Sequence, residues 1–133
     1  MVSNKNVNID AILNNANDNQ LFIMEKFSRL IGRILSNVEI ALPEGKRYST
    51  LRRLLNDNIY SSRNDLLSFF VDDIEIEEAK NKINSNFASI SEFLDNKLEI
   101  AFPQINQQKA IKSSVTETVD SILAELIEFF ENR

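Results

Sequence analysis

The chain has 133 residues, a net charge of −5, and neither cysteine nor histidine. These absences exclude disulfides, thiolate nucleophiles, histidine-based proton transfer and zinc sites built on thiolate or imidazole ligands. With 43% hydrophobic residues but only two glycines and two prolines, the composition favours one helical globular domain over a turn-rich β-sandwich or barrel.

The sequence gives no support to several functional classes. No apolar run approaches the roughly 18 residues of a membrane span. The polar start of the chain also lacks the pattern of a signal peptide. We therefore expect a cytoplasmic protein without membrane association. The acidic net charge argues against nucleic acid as a partner of the whole surface, and no cofactor or small-molecule substrate is indicated.

The start of the chain predicts a short helix followed by a long one. Residues 1–18 form a polar segment whose few apolar side chains are spaced for a helix of about two turns. The long helix is predicted to use Asp18 or Asn19 as its N-cap residue, and its apolar residues recur at steps of three and four. It ends near Ala41, because Pro43 cannot continue a helix.

Three further long helices are predicted. The second long helix of the chain follows a turn at 43–45 and reaches Phe70, and the third long helix ends before Pro103. The fourth runs from about Gln104 to Phe130. Because the connections are short, we expect consecutive helices to be antiparallel neighbours.

The chain contains a near-copy of itself at an offset of sixty residues. The segment Glu-Ile-Ala-Leu-Pro at 39–43 recurs as Glu-Ile-Ala-Phe-Pro at 99–103, and the Phe-Phe pair at 69–70 recurs at 129–130. Any two amphipathic hairpins of equal length align in part. That explanation does not require both prolines and both Phe-Phe pairs to fall in one ungapped register.

The repeat predicts the architecture. We interpret residues 19–70 as pseudo-repeat A and residues 74–130 as pseudo-repeat B of one duplicated unit, preceded by the polar segment 1–18. Tandem units that cannot bury their own apolar face are expected to stack. The predicted fold is therefore an all-α antiparallel four-helix bundle of two duplicated hairpins, with a short N-terminal helix and a pseudo-two-fold axis.

The two copies differ in charge, and we looked for function in that difference. Residues 44–70 hold five basic and three acidic residues, net +2, whereas residues 104–130 hold two basic and four acidic residues, net −2. Basic and aromatic side chains on helix two recur at steps of three and four, which places them on one face. The partner-binding candidates on this face are Lys46, Arg53, Asn56, Tyr60 and Arg63.

Three interpretations of this face stay open. It is a solvated helix surface, a protein contact surface, or a phosphate-binding surface that also uses Arg47 and Arg52. The opposite charges of helices two and four would also allow ion pairs within one molecule or between two molecules. We predict a non-enzymatic protein–protein interaction module or small adaptor subunit, self-associating as a homodimer, with a nucleic-acid-associated accessory protein as the alternative.

The Phe-Phe pairs are further candidates. They end helices two and four, where they plug the base of the bundle or remain in part exposed. Because adjacent helical residues cannot both face one core stripe, Phe69 and Phe129 become partner contacts if they are exposed.

An acidic cluster covers residues 72–78 and raises the question of a Mg²⁺ site in an all-α enzyme with clustered carboxylates. The cluster lacks the ligand spacing and the glycine of an EF-hand loop. Helix capping explains it more simply, with Asp72 or Asp73 as the N-cap of the third helix and glutamates in its first turn.

Glu77-Glu78 and the later Glu92-x-x-Asp95 superficially resemble the carboxylate signature of the all-α nucleotide pyrophosphohydrolases of the MazG type. Proteins of that family place a Glu-Glu-x-x-Glu motif and a Glu-x-x-Asp motif on two packed helices around Mg²⁺. Here Asn81 stands at the third glutamate, and both fragments fall on one predicted helix, roughly 20 Å apart along it. No residue role is carried over from the resemblance.

Gly32 lies within the first long helix, where glycine costs about 1 kcal/mol relative to alanine. Its counterpart in the second copy is Glu92. We interpret the glycine as the site of a close crossing between two helices.

Overall fold

The computed structural model describes residues 9–41 and 46–132 and, for 46–48, the backbone alone. The described residues form helices and connections without a strand. The five helices are α1 (Ile9–Asn14), α2 (Asp18–Ala41), α3 (Lys46–Phe69), α4 (Ile76–Ala101) and α5 (Ile105–Glu131). The prediction of an all-α fold is confirmed. The predicted turn at 43–45 lies outside the described residues.

The four long helices contact one another in a closed cycle. Helix α2 packs against α3 and α5, α4 packs against the same two helices, and α1 packs on α3. Side-chain bonds give the directions, since Gln20 reaches the carbonyl of Leu67 and Lys80 reaches Glu131. Helices α2 and α4 therefore begin at the end of the molecule where α3 and α5 finish, and each contacting pair of long helices is antiparallel.

Helix α2 begins with a reciprocal side-chain cap. Asn17 Oδ1 accepts from the Gln20 backbone N–H at 2.8 Å, and Gln20 Oε1 accepts from the Asn17 backbone N–H at 2.9 Å. This is the arrangement of a capping box, with an amide in place of the usual carboxylate. The predicted N-cap at Asp18 or Asn19 is corrected to Asn17, because Asn17 is the residue that satisfies the free N–H of the first turn.

Helix α4 begins later than the acidic cluster predicts. Its N-cap residue is Glu75, which makes no side-chain cap bond, while Glu77 and Glu78 lie in the first turn. Asp72 and Asp73 precede the helix, so their prediction as N-caps is wrong. Ile74, between these aspartates and the helix, packs in part against the core, and residues 71–75 are not helical.

The core is built from one apolar stripe on each long helix, and the stripes match at the sixty-residue offset. The matched buried apolar residues of α2 are Ile23, Phe27, Leu30, Ile34 and Val38, and those of α4 are Ile83, Phe87, Ile90, Leu94 and Leu98. On α3 and the residue that follows it, the matched buried residues are Leu51, Leu55, Ile59, Leu66 and Phe70, and on α5 they are Ile111, Val115, Val119, Leu126 and Phe130. These ten pairs of corresponding positions are thus buried alike, whereas Ile31 and Leu67 are buried and their counterparts Ser91 and Ile127 are not.

Aromatic rings join the two halves at corresponding residues. The Phe27 and Phe87 rings meet edge to face with centroids 5.6 Å apart, inside the core. Phe70 and Phe130 stack with centroids 4.7 Å apart, at the end of the molecule where α2 and α4 begin. In each pair the partners are sixty residues apart, so each ring meets its own counterpart.

Phe69 and Phe129 lie at the same end and are half-buried. Each ring packs edge to face against the next phenylalanine, at 5.2 Å for Phe69–Phe70 and 5.1 Å for Phe129–Phe130. The Phe129 ring also stacks on Phe22 at 3.9 Å. These contacts join five rings into one cluster, which we call the phenylalanine end. Its members are Phe22, Phe69, Phe70, Phe129 and Phe130.

Gly32 does not mark a close helix crossing. It is exposed on α2. A Cβ added at this position would have no heavy atom within 4 Å, apart from its chain neighbours and the nearby backbone of α2 itself. The prediction of a close helix crossing at Gly32 is therefore wrong, because no neighbouring backbone blocks a side chain at this position.

Replacing Gly32 by alanine should stabilise the protein. The new methyl group meets no obstacle, and alanine restricts the unfolded chain and favours the helix. We expect the free energy of unfolding to rise by about 0.5–1 kcal/mol in urea denaturation followed by circular dichroism. A loss of stability would mean that an added methyl group is not tolerated on this face of α2.

The phenylalanine end should be sensitive at its buried rings. We expect Phe70→Ala to lower the free energy of unfolding by about 3–5 kcal/mol, because it empties a fully buried site. Phe69→Ala should cost less than half as much, because that ring is already in part hydrated. Equal losses in the two variants, measured by urea denaturation, would contradict this division between a core ring and a peripheral ring.

Candidate functional site

The predicted partner-binding residues of helix two lie along α3. Lys46 is in the first turn of α3, and its side chain lies outside the described residues. Arg53 and Tyr60 are exposed, whereas Asn56 and Arg63 are half-buried. The spacing is therefore that of one helix face, and the face is open to solvent only in places.

Tyr60 and Arg63 interact with each other. The guanidinium carbon of Arg63 lies 4.9 Å from the centre of the Tyr60 ring, and its Nη2 donates to Asn64 Oδ1 at 2.9 Å. A cation over an aromatic ring is attracted by the electrons of the ring face. The two residues thus form one ordered unit on α3, and their role in partner binding stays a prediction.

One side of this face is covered more than the residues sixty positions later in the chain. Asn56 and Asn64 are half-buried, while the corresponding Thr116 and Ala124 on α5 are exposed. Helix α1 packs on α3, and its Ile12 is buried. The short helix thus packs on α3, and Arg53 and Tyr60 are the residues of the basic face whose described side chains are exposed.

The acidic helix α5 does not neutralise the basic helix α3. Glu125 bonds to Lys26 of α2 and lies 3.6 Å from Arg29, while Glu131 pairs with Lys80 of α4 at 2.8 Å. On α3, where side chains are described, Arg52 and Arg53 take part in no ion pair. The charges of Arg52 and Arg53 are thus not neutralised by the acidic residues of α5.

The pair of Lys26 and Glu125 is the most buried ion pair of the described residues. Lys26 is buried in the seam between α2 and α5, whereas about a third of the Glu125 side chain is exposed. The hydrogen bond from Lys26, together with the charges of Lys26 and Arg29, lowers the pKa of the Glu125 carboxyl. At the end of α5, the hydrogen bond and charge of Glu131 raise the pKa of Lys80.

The end of the molecule opposite the phenylalanine end carries exposed isoleucines, and we call it the isoleucine end. Ile40 at the end of α2 is 85% exposed, Ile100 at the end of α4 is 74% exposed, and Ile105 at the start of α5 is 65% exposed. Ile40 and Ile100 occupy the same position of the repeated Glu-Ile-Ala segment. The segment in which the two halves of the sequence agree best therefore presents an apolar side chain to solvent in each half.

These isoleucines are not among the partner-binding residues predicted from the sequence, although the sequence contains a signal for them. The buried stripe of α2 steps from Ile34 to Val38, and Ile40 stands two residues further on, out of step with it. A large apolar residue that is repeated but lies off the stripe is not needed for the core. The interpretation of the repeated positions as scaffold therefore does not extend to Ile40 and Ile100, which are exposed.

A shallow apolar groove adjoins Ile100. It lies between the start of α3 and the end of α4, measures about 420 Å³, and is lined mainly by Leu51, Leu54, Ile100 and Ala101. Leu51 is buried at its base, and Leu54 is half-buried. The groove and the exposed Ile40 side chain are both at the isoleucine end.

The carboxylates of the described residues do not gather into a metal site. No three acidic side chains in the described ranges lie close enough together to hold a metal ion. Glu77, Glu78, Glu92 and Asp95 all belong to α4, as predicted, so the two fragments do not face each other across a helix pair.

None of the described helices is both long and apolar enough to cross a membrane.

In comparisons with known proteins, no family model, no curated protein and no solved structure matches this chain. The class that fold and surface define is therefore a broad one: an all-helical protein with paired exposed isoleucines at one end.

The two partners of the Lys26–Glu125 pair should contribute unequally to stability. Glu125→Gln leaves a buried ammonium group without a carboxylate, and we expect it to lower the free energy of unfolding by about 1–3 kcal/mol. Lys26→Met leaves a carboxylate that is in part hydrated and still near Arg29, so it should cost less. Urea denaturation of both variants checks this order, and a larger loss in Lys26→Met would contradict it.

The same pair should give the protein a sensitivity to acid. Because the pKa of Glu125 is lowered in the folded chain, the unfolded chain binds the proton more tightly. The stabilisation is complete above the ordinary pKa of a glutamate and is lost as the pH falls through the lowered value. Between about pH 6 and pH 3, Glu125→Gln should therefore lose less stability than the unmodified chain, as measured by urea denaturation at each pH.

Proposed function

We propose that this protein is a non-enzymatic interaction module that forms a homodimer through its isoleucine end. The scaffold we propose is an antiparallel four-helix bundle that arose by duplication of a helical hairpin. Support comes from the matched buried stripes and from the Phe27–Phe87 and Phe70–Phe130 contacts, in which each ring meets its counterpart.

The single observation that carries the functional proposal is the exposure of Ile40 and Ile100. Each leaves most of its surface in water, and each belongs to the segment in which the two copies agree best. Apolar surface of this kind is covered favourably when two proteins associate. The scaffold does not need these side chains, so their repetition favours a contact outside the molecule.

A second copy of the chain suits this end because the end offers both a protruding side chain and a groove. Ile40 is the protruding side chain, and the groove of about 420 Å³ beside Ile100 is the recess. In an isologous dimer, residue i of one protomer contacts residue j of its partner and the reverse contact follows by symmetry. Two molecules meeting end to end would thus bury Ile40 of each in the groove of the other.

The oligomeric state tests this proposal. We expect light scattering coupled to size-exclusion chromatography to give a dimer for the unmodified chain and a monomer for Ile40→Glu. A charge at this position is harmless to the fold, because the side chain is largely exposed. The matched control is Leu21→Glu, which changes an exposed leucine at the phenylalanine end and should remain a dimer.

Two results would overturn the proposal. One is a clean monomer for the unmodified chain at about 100 µM, well above the Kd expected of a specific dimer. The other is a dimer that persists in Ile40→Glu. If Arg53→Glu separates such a dimer, the contact surface is the basic face of α3 instead.

A further inference from the structure

The charge of the chain is divided unevenly between the isoleucine end and the rest of the molecule. Residues 34–53 and 94–112 span the last two turns of α2 and α4 and the first two turns of α3 and α5. In sequence they hold seven basic and four acidic residues, net +3, whereas the rest of the chain holds eight basic and sixteen acidic residues, net −8. The isoleucine end is therefore basic, although the protein as a whole is acidic.

Most of the described cations at this end are not neutralised by a carboxylate. Arg52 and Arg53 in α3 and Lys109 in α5 are exposed, and none of the three forms an ion pair within the described part of the chain. Lys112 is different, because it pairs with Glu99 at 2.8 Å. The positive charge of this end is thus carried largely by groups that face water.

A fourth cation lies at the apolar groove itself. Lys97 is half-buried and lines the groove of about 420 Å³ beside Ile100. Its ammonium nitrogen lies 5.5 Å from the centre of the Phe93 ring, and no described carboxylate forms an ion pair with it. The recess therefore has a positive charge at its edge. We call the four unpaired groups the end cations; they are Arg52, Arg53, Lys97 and Lys109.

The homodimer proposed above would bring the end cations of two molecules together. In an isologous contact, every cation of one protomer is matched by the same cation of its partner. Each end cation lies within two turns, about 12 Å, of its helix end. Charges interact over about 30 Å at 0.01 M ionic strength but only about 8 Å at 0.15 M. Repulsion between the two sets therefore opposes the apolar contact most strongly when little salt is present.

The chemistry of the end cations also selects the kind of ion that relieves this repulsion. Guanidinium and ammonium groups are donors without an acceptor, and guanidinium groups match the oxygen atoms of sulfate and phosphate. One divalent oxyanion can accept hydrogen bonds from several donors and offset two positive charges. Chloride offsets one charge and lacks this geometry.

We propose that self-association through the isoleucine end is controlled by small multivalent oxyanions of the sulfate and phosphate type. At low ionic strength the end cations hold two copies apart. An oxyanion bound among the end cations of both copies removes the repulsion, and the exposed isoleucines then associate. This inference rests on the proposed homodimer and adds to it the class of ion that regulates it.

The experiment measures the Kd of the dimer by sedimentation equilibrium of the full chain in sodium chloride and in sodium sulfate. In chloride, we expect the Kd to fall about tenfold between about 0.01 M and about 0.15 M ionic strength, because the repulsion is screened. At equal ionic strength of about 0.15 M, sulfate should lower the Kd about threefold further. Inorganic phosphate should act as sulfate does.

A variant separates this effect from the general strengthening of apolar contacts by sulfate. Arg53→Gln removes one end cation from each copy and makes the whole chain more acidic. We expect it to dimerise about threefold more tightly than the unmodified chain at low ionic strength, and to respond less to sulfate. If the net charge of the whole molecule opposed association, the same variant would instead dimerise more weakly.

The matched control is Arg63→Gln, which makes the same change in net charge about 15 Å further along α3. At about 0.15 M ionic strength it should keep the full difference between chloride and sulfate, because the exchanged charge lies beyond the screening distance. Circular dichroism of both variants checks that the helices are retained.

The results distinguish failure of this inference from failure of the dimer itself. A monomer at about 100 µM in sulfate as well as in chloride removes the dimer, and the inference with it. A dimer whose Kd is constant or rises with ionic strength overturns the inference alone. An equal response to sulfate in Arg53→Gln and the unmodified chain also overturns it, because sulfate then acts on apolar burial only.

Discussion

The structure depends on the burial of one apolar stripe from each of four long helices, because no pair of these helices covers its own stripe completely. Each long helix packs against two others, and rings from the two halves meet at the centre and at one end. Phe27 and Phe87 lie in the middle of this arrangement, where a packed ring excludes water from both halves at once. The short helix α1 adds to the outside of α3 and is not part of the cycle.

Given this shared core, the two halves of the chain differ mainly where helices meet at the surface. The Phe129 ring is covered by Phe22, whereas the corresponding Phe69 ring is covered by the ammonium group of Lys82. Phe22 and Lys82 are sixty residues apart, so one position supplies a ring in one seam and a cation in the other. Both side chains shield an aromatic face, and the exchange keeps the fold while changing the charge of the seam.

The sequence allowed the helices and their buried faces to be predicted because the steps of three and four residues report directly on burial. The breaks were also accessible, since Pro103 cannot continue a helix and α4 ends at Ala101. The predictions that failed depended on distances between helices. The prediction of a close helix crossing at Gly32 is wrong, because an added Cβ has no heavy atom of another helix within 4 Å, and such a distance is set only when the helices pair. The exposed isoleucines were visible as residues off the stripe, but their exposure needed the structure.

The cap of α2 has a consequence for how the molecule opens. Asn17 and Gln20 use one amide oxygen each to close the start of α2, and their remaining N–H groups donate to the carbonyls of Phe70 and Leu67 at the end of α3. A helix end usually frays by itself, since its last carbonyls are free to turn to water. Here the first turn of one helix and the last turn of the next share the same two side chains. Local unfolding at this corner is therefore cooperative: neither terminus can melt without releasing the other.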